Sequence, residues 1–189
     1  MKIAIIGAGN VGRALESGWK KAGHEVRFGK RESNADAAKW GEVVVLATPW
    51  PATKDAIAAC GRLAGKVVLD ATNPLLPNLG GLDHAEGSGG ERVAAWAKGA
   101  RVVKIFNTTG FGNMANPRYA AGKLMMLYCG DDAGAKGLAR QLAEDLGFDP
   151  VDFGPLANAR YSEGVAMTWI WLAIKGGIGR EIAFLLARR

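Results

Sequence analysis

The strongest constraint on how this chain can fold lies in its first dozen residues, MKIAIIGAGNVG. Ile3-Ala4-Ile5-Ile6 is an unbroken apolar run with β-branched members, the pattern of a strand buried on both faces. Gly7, Gly9 and Gly12 follow at once in G-x-G-x-x-G spacing. Val11, Leu15 and Trp19 then recur every four residues along one face of a helix. Each glycine has a task in such a strand-turn-helix unit: Gly7 permits the tight turn, Gly9 keeps a side chain away from a pyrophosphate, and Gly12 lets the helix approach the sheet. Unpaired amides at the helix N-terminus then face the anion. A purely structural glycine turn would not need all three positions filled.

The second strand narrows the reading. Glu25-Val26-Arg27-Phe28 ends about 20 residues beyond the glycines, where a site for unphosphorylated dinucleotide places Asp or Glu on the ribose. Here the chain reads Gly29, Lys30, Arg31 and then Ser33. A carboxylate at that point would repel a 2′-phosphate, whereas a guanidinium grips it with two charge-assisted hydrogen bonds. The expected cofactor is therefore NADP(H) rather than NAD(H), the alternative being a solvated basic loop.

Composition excludes other classes. The formal net charge is +6, but the basic residues are scattered in pairs such as Lys20-Lys21 and Lys30-Arg31, with no aromatic-interleaved tract, which argues against nucleic acid as a partner. Cys60 and Cys129 are far apart in unrelated contexts and read as buried thiols rather than a disulfide or a metal site. The first strand begins at residue 2, leaving no room for a signal peptide, and the apolar run Val165 to Ile174 is about half of a membrane-spanning length. The expectation is a soluble cytoplasmic protein with no membrane partner.

Along the chain, strands are expected at Glu42–Ala47, Lys66–Asp70, Arg101–Phe106, Lys123–Tyr128 and Pro150–Phe153. Helices are expected at Asn34–Trp40, Thr53–Leu63, Glu91–Lys98 and Ala133–Leu146, with Phe111–Arg118 as loop. The alternation describes an α/β fold, Rossmann-type and doubly wound, with a mainly parallel sheet. Only about ten residues separate the second and next strands, so the usual third strand, at the sheet edge, is expected to be missing. Residues 1–108 read as the dinucleotide-binding core of a single domain that residues 109–189 complete. Its C-terminal helical region is interrupted by Gly176, Gly177 and Gly179, and a helix is expected to resume at Ile182–Leu186. That region is too apolar for a solvated helix and either closes a crevice or packs on a second subunit as a homodimer.

Ligands of such sheets gather beyond the carboxyl ends of strands. Thr48-Pro49-Trp50, Asp70 to Asn73, and Asn107-Thr108-Thr109 stand at such ends. Trp50 either borders the cofactor or anchors a loop, and Asp70 and Asn73 either hydrogen-bond ribose or nicotinamide or serve the turn. His84, in the glycine-rich loop Leu76–Gly90, is either a general acid or a mobile surface residue. No catalytic acid, nucleophile or metal set is evident.

With these residues assembled, the chain resembles the NADPH-dependent coenzyme F420 reductase family over nearly its whole length. The likeness rests on IGAGNVGRAL, GHEVRFGKR, VVVLATPW, DATNPL, VVKIFNTTGFGNMANP, YCGDD, DFGPLANAR and GGIGREIAF. It implies hydride transfer between the nicotinamide C4 and the C5 of a deazaflavin. It places the NADP pyrophosphate on Ala8, Gly9, Asn10, Val11 and Gly12, with Gly7 counted among the cofactor-binding residues, and the 2′-phosphate at Lys30 and Arg31 with Ser33 beside them. Nicotinamide falls near Thr48, Pro49 and Asn73, and the deazaflavin toward Asn107, Thr108 and the C-terminal helix. FMN or FAD is the other candidate second cofactor. Hydride transfer between two bound cofactors depends mainly on distance and orientation, which agrees with the lack of a catalytic residue. Two alternatives stay open: an NADPH-dependent reductase of another small substrate, and a non-catalytic NADP(H)-binding redox sensor.

Overall fold

The computed structural model describes residues 1–189, apart from the side chain of Arg31. Strands and helices alternate through β1 (Lys2–Ile6), α1 (Asn10–Lys21), β2 (Glu25–Gly29), α2 (Asn34–Trp40), β3 (Val43–Leu46), α3 (Trp50–Ala59), β4 (Val67–Asp70), α4 (Gly89–Trp96) and β5 (Arg101–Lys104). Then come a short α5 (Phe111–Ala115), a two-strand ribbon of β6 (Arg118–Tyr119) and β7 (Gly122–Lys123), β8 (Met125–Gly130), α6 (Ala133–Leu146), β9 (Asp149–Asp152) and α7 (Ala159–Ile170). α7 runs on into one π-helical turn, Trp171–Lys175.

Seven strands form one sheet in the order β2-β1-β3-β4-β5-β8-β9. β2 through β5 are parallel in that order, β8 joins antiparallel to β5 through Val103↔Gly130 and Lys104↔Cys129, and β9 is parallel to β8. β2 is an edge strand, so the usual outer third strand is absent, as the short connection after β2 predicted. Strand order reverses at β1, which has β2 on one side and β3 on the other; the crevice beyond Ile6 and Leu46 is the topological switch point.

Period-two alternation divides the core into two layers. Ile3 and Ile5 face one way with Leu15, Trp19, Val45, Leu142 and Phe148, under α1 and α6. Ala4 and Ile6 face the other way with Val44, Leu46, Ile57, Val68 and Val93, under α2, α3 and α4. Because helices cover both faces, β3 and β4 are buried at every residue and carry no polar alternation. Trp19 closes the first layer, its indole donating to the Leu142 carbonyl at 2.9 Å and its ring meeting Phe106 edge-on.

Several boundaries differ from expectation, α3 also ending early at Ala59, and three have clear local reasons. α3 begins at Trp50, because Pro51 is tolerated in a first turn, where its missing N–H costs nothing. α4 begins at Gly89, set by a capping box in which Ser88 and Glu91 satisfy each other's amides. The expected loop Phe111–Arg118 holds α5 and the start of the β6-β7 ribbon, whose second strand takes the front of the run assigned to a single strand. The expected helix at Ile182–Leu186 is absent: Gly177 and Gly179 take positive φ, and the segment runs on without regular structure, Met125 donating its amide to the Phe184 carbonyl at 2.9 Å. Among the described residues, no helix is long and apolar enough to cross a membrane.

Candidate cofactor and acceptor site

The glycine turn sits at the switch point. Gly7 has φ +111°, and a Cβ there would run into the Ala47 carbonyl group; a Cβ on Gly12 would run into the Gly7 carbonyl oxygen. A Cβ on Gly9 would meet nothing within 4 Å. Packing therefore demands the first and third glycines, while the second leaves an open approach to the backbone. Gly9 is the N-cap of α1 without a side-chain cap, and the first turn carries no acidic residue. The helix start is thus left with unpaired amides and a positive dipole end beside exposed Gly9 and Asn10. Arg13 braces the turn through Nε to the Ala8 carbonyl at 3.1 Å.

A cavity opens on each side of this turn. The first, about 550 Å³, lies toward β2 and is lined by Gly7, Ala8, Gly29, Lys30, Asn34 and Thr48, with the small residues Ala52 and Ala56 of α3 and the exposed Asp55. The backbone amide of Lys30 donates to Ser33 Oγ at 3.0 Å, and that hydroxyl donates back to the Lys30 carbonyl at 3.1 Å, so Ser33 shapes the loop. The Arg31 guanidinium lies outside the described residues. Thr48 borders this β2-side cavity and pairs with the Thr53 hydroxyl at 2.9 Å, while Pro49 is exposed as the N-cap of α3.

The second cavity, about 650 Å³, begins at Val11 and extends away from β2, between the segment after β5 and the end of the chain. Phe111, Tyr119 and Trp169 supply aromatic walls, and Arg118, Arg180 and Glu181 supply charge. Trp169 packs close enough on Gly110 that a Cβ there would run into the outer edge of its ring. Trp169 Nε1 and Asn113 Nδ2 both donate to the Ile182 carbonyl, at 2.7 and 2.8 Å, which holds the C-terminal segment against the cavity. Burial and then the Glu181 carboxylate push the Tyr119 phenol above its ordinary pKa, and its hydroxyl donates to Asn113 Oδ1 at 2.9 Å.

Beyond the carboxyl ends of β4 and β5, the two following segments are joined. Asn73 Nδ2 donates to the Asn107 carbonyl at 2.9 Å, and Asn107 Nδ2 donates to Asn73 Oδ1 at 3.1 Å. The turn that permits this includes Phe106 at φ +62°, a strained conformation for a bulky residue. Thr108 points the other way: it is buried, with its hydroxyl on the Met126 sulfur at 3.7 Å. Trp50 also faces away, tilted against Trp96 with ring centroids 5.3 Å apart and the Arg92 guanidinium 4.8 Å from its own, and so anchors a loop and helix face.

Beneath the strand ends lies a charged cluster. The Lys104 ammonium contacts Asp70 at 2.9 Å, the Thr72 carbonyl at 2.6 Å and Glu163 at 3.0 Å, with all three charged side chains fully buried. Glu163 also accepts from the Gly89 and Gly90 amides, at 3.1 and 3.0 Å, and lies 2.8 Å from His84 Nε2. Burial alone would lower the Lys104 pKa, but the two carboxylates outweigh it and hold the ammonium above its ordinary value. Asp70, weighed as a ribose ligand, is instead committed to Lys104 and to the Thr72 amide and hydroxyl. His84, weighed as a general acid or a surface residue, lies with Nε2 on the Glu163 carboxylate and so links the glycine-rich loop to α7. Lys104 and Glu163 were missed by sequence reasoning, although a lysine inside the apolar run VVKIF must have a buried counter-charge.

A glycine turn at the switch point of a mainly parallel sheet, flanked by two cavities and a basic strand end without a carboxylate, defines a dinucleotide-binding protein of the Rossmann type. The chain belongs to the family of F420-dependent NADP oxidoreductases. The family described as "NADP oxidoreductase coenzyme F420-dependent" matches residues 2–34 and 30–74. The crystal structure of a candidate F420-dependent NADP reductase from Arthrobacter sp. FB24 superposes with a TM-score of 0.90 at 32% identity, covering 100% of both chains. The F420-dependent NADP reductase of Methanocaldococcus jannaschii is 32% identical over 152 residues, 75% of this chain and 66% of that protein. The metalloreductase STEAP3 of Rattus norvegicus is 29% identical over 182 residues, 88% of this chain. The chain spans 36% of the length of the rat protein and 66% of that of the archaeal one.

Proposed function

We propose that this protein is an NADP(H)-dependent oxidoreductase that passes a hydride between NADPH and a deazaflavin or flavin coenzyme. The observation that carries the reading is the placement of the two cavities on opposite sides of one glycine turn. A dinucleotide held by its pyrophosphate at that turn reaches one cavity with its adenosine and the other with its nicotinamide. The open face of Gly9, the uncapped α1 amides and Lys30 fit such a ligand, with Arg31 as the second cation of the 2′-phosphate. Bound NADPH supplies the hydride from its nicotinamide ring. The chain supplies orientation: Asn73 and Asn107 brace the strand ends, and Phe111, Tyr119 and Trp169 give a planar acceptor flat walls. One hydride and one proton convert the oxidised acceptor to its reduced form, and NADPH becomes NADP⁺. In this reading residues 1–108 and 109–189 act as one domain, since the second cavity takes Val11 from the first segment and the rest of its wall from the other.

The test is to mix the protein with NADPH and either F420 or FMN and follow loss of nicotinamide absorbance. Turnover with one of them supports the reading; tight NADPH binding without turnover favours a redox sensor. Likeness to the rat metalloreductase over most of this chain favours a second reading, reduction of a different small acceptor. The same assay with a ferric chelate separates the two.

We also propose a homodimer through the C-terminal helix. Tyr161 on α7, Trp171 at the start of its π-helical turn and Ile178 in the segment beyond are 61%, 55% and 61% exposed, apolar surface that a second copy would cover. Replacing Trp171 with Glu should shift sedimentation from dimer to monomer.

A further inference from the structure

Asn34 has no place in the cofactor contacts described so far, yet its surroundings single it out. It lines the β2-side cavity, it is only 4% exposed, and its Oδ1 has no hydrogen-bond partner among the described residues. An unpaired buried carbonyl oxygen forfeits its hydration with nothing in return, so a native protein leaves one only where something else satisfies it. Its Nδ2 makes a single long bond, 3.4 Å to the Ala56 carbonyl, so little prevents the carboxamide from turning toward the cavity. Its position is equally informative. A Cβ added to Gly29 would lie 2.6 Å from Asn34 Oδ1 and 2.7 Å from Ile6 Cδ1. The Asn34 oxygen therefore stands where an acidic side chain on the last residue of β2 would begin, the position from which an NAD-type site binds its ribose.

We infer that Asn34 is a specificity-determining residue of the cofactor site, a neutral hydrogen-bonding group for the adenosine ribose in the space of the missing carboxylate. This rests on the NADP(H) reading above. The 3′-hydroxyl of a 2′-phosphorylated ribose is the donor available to Oδ1. A carboxylate there would accept the same bond but repel the phosphate, which carries about two negative charges. A carboxamide accepts it without that repulsion, and its bulk keeps residue 29 a glycine. Preference for the phosphorylated cofactor then has two parts: the cations Lys30 and Arg31 attract, and the Gly29-Asn34 pair withholds the repelling charge.

Dissociation constants for NADPH and NADH, measured by quenching of tryptophan fluorescence, decide the matter in the wild type, Asn34→Asp and Asn34→Ala, with thermal unfolding as the check on folding. The wild type should prefer NADPH; no preference there overturns the underlying NADP(H) reading. Given that preference, Asn34→Asp should lower the NADPH-to-NADH affinity ratio about tenfold or more, almost wholly through weaker NADPH. Asn34→Ala should weaken both dinucleotides alike, several-fold. A folded Asn34→Asp with an unchanged ratio overturns the assignment. If Asn34→Asp does not fold, unchanged affinity of Asn34→Ala for both dinucleotides overturns it.

Discussion

Lys104 on β5 and Glu163 on α7 meet at 3.0 Å with both side chains wholly out of solvent, and this contact fastens the C-terminal helix to the carboxyl end of the sheet. Asp70 holds the same ammonium from β4, and the Gly89 and Gly90 amides hold the same carboxylate from α4. Four elements therefore share one polar knot, whose members are close to fully hydrogen-bonded.

Removing the cation should be costly. Lys104→Ala leaves Asp70 and Glu163 as buried carboxylates without their counter-charge, and a loss of about 3–5 kcal/mol in denaturant unfolding is expected. The pH dependence has a definite sign. The folded-state pKa of Lys104 lies above its ordinary value of 10.5, so its stabilisation is complete below that value and is lost as pH rises from there through the folded pKa. Unfolding midpoints measured on the alkaline side should fall with pH in the wild type and fall less in Lys104→Met.

The glycines of the turn should separate binding from stability. Gly9→Ala adds a methyl to open space at an extended residue with φ −74°, so the fold should survive while NADPH binding weakens about tenfold or more. Gly12→Ala drives a methyl into the Gly7 carbonyl oxygen, which is backbone and cannot move aside, and should lose about 2 kcal/mol or more despite the helix propensity of alanine. Calorimetric titration beside thermal melts checks both outcomes; equal effects of the two substitutions on stability would contradict the packing described.

Arg31→Ala should weaken NADPH much more than NADH, because a 2′-phosphate exists only on the former. Equal weakening of both cofactors in a binding titration would remove Arg31 from the phosphate site.

Both cysteines should be inert in the native state. Burial pushes the Cys60 thiol to about 11 and the Cys129 thiol to about 12, so neither provides thiolate near neutral pH. Mass spectrometry after iodoacetamide at pH 8 should find the folded protein unmodified and the denatured protein carrying two adducts, one for each cysteine in the chain.

Much of the fold was legible in the residues themselves. Ile3 to Ile6 can only be a two-faced buried strand, and the three glycines after it have distinct local duties that the geometry of Gly7, Gly9 and Gly12 repeats. The spacing from Arg31 to Val43 is too short for another crossover, which is why β2 ends as an edge. The capping box at Ser88 and Glu91 was equally available, four residues in a fixed pattern. Thr108 and Trp50 show the limit: standing at a strand end does not settle which way a side chain turns, and both turn away from the crevice.

Sequence by itself determined the strand-turn-helix opening, the buried parallel strands and the basic end of β2, because backbone freedom, side-chain period and charge act over a few neighbouring residues. Only the tertiary structure decided that Lys104 finds Asp70 and Glu163, that His84 latches a loop to α7, and that Asn34 fills the space above Gly29. Most of those partners lie tens of residues apart along the chain, and even Asn34, five residues from Gly29, is aimed by the packing of α2 on the sheet. Their meeting depends on which way each helix returns to the sheet and on the cost of leaving any buried charge or amide unpaired, quantities that no local stretch contains.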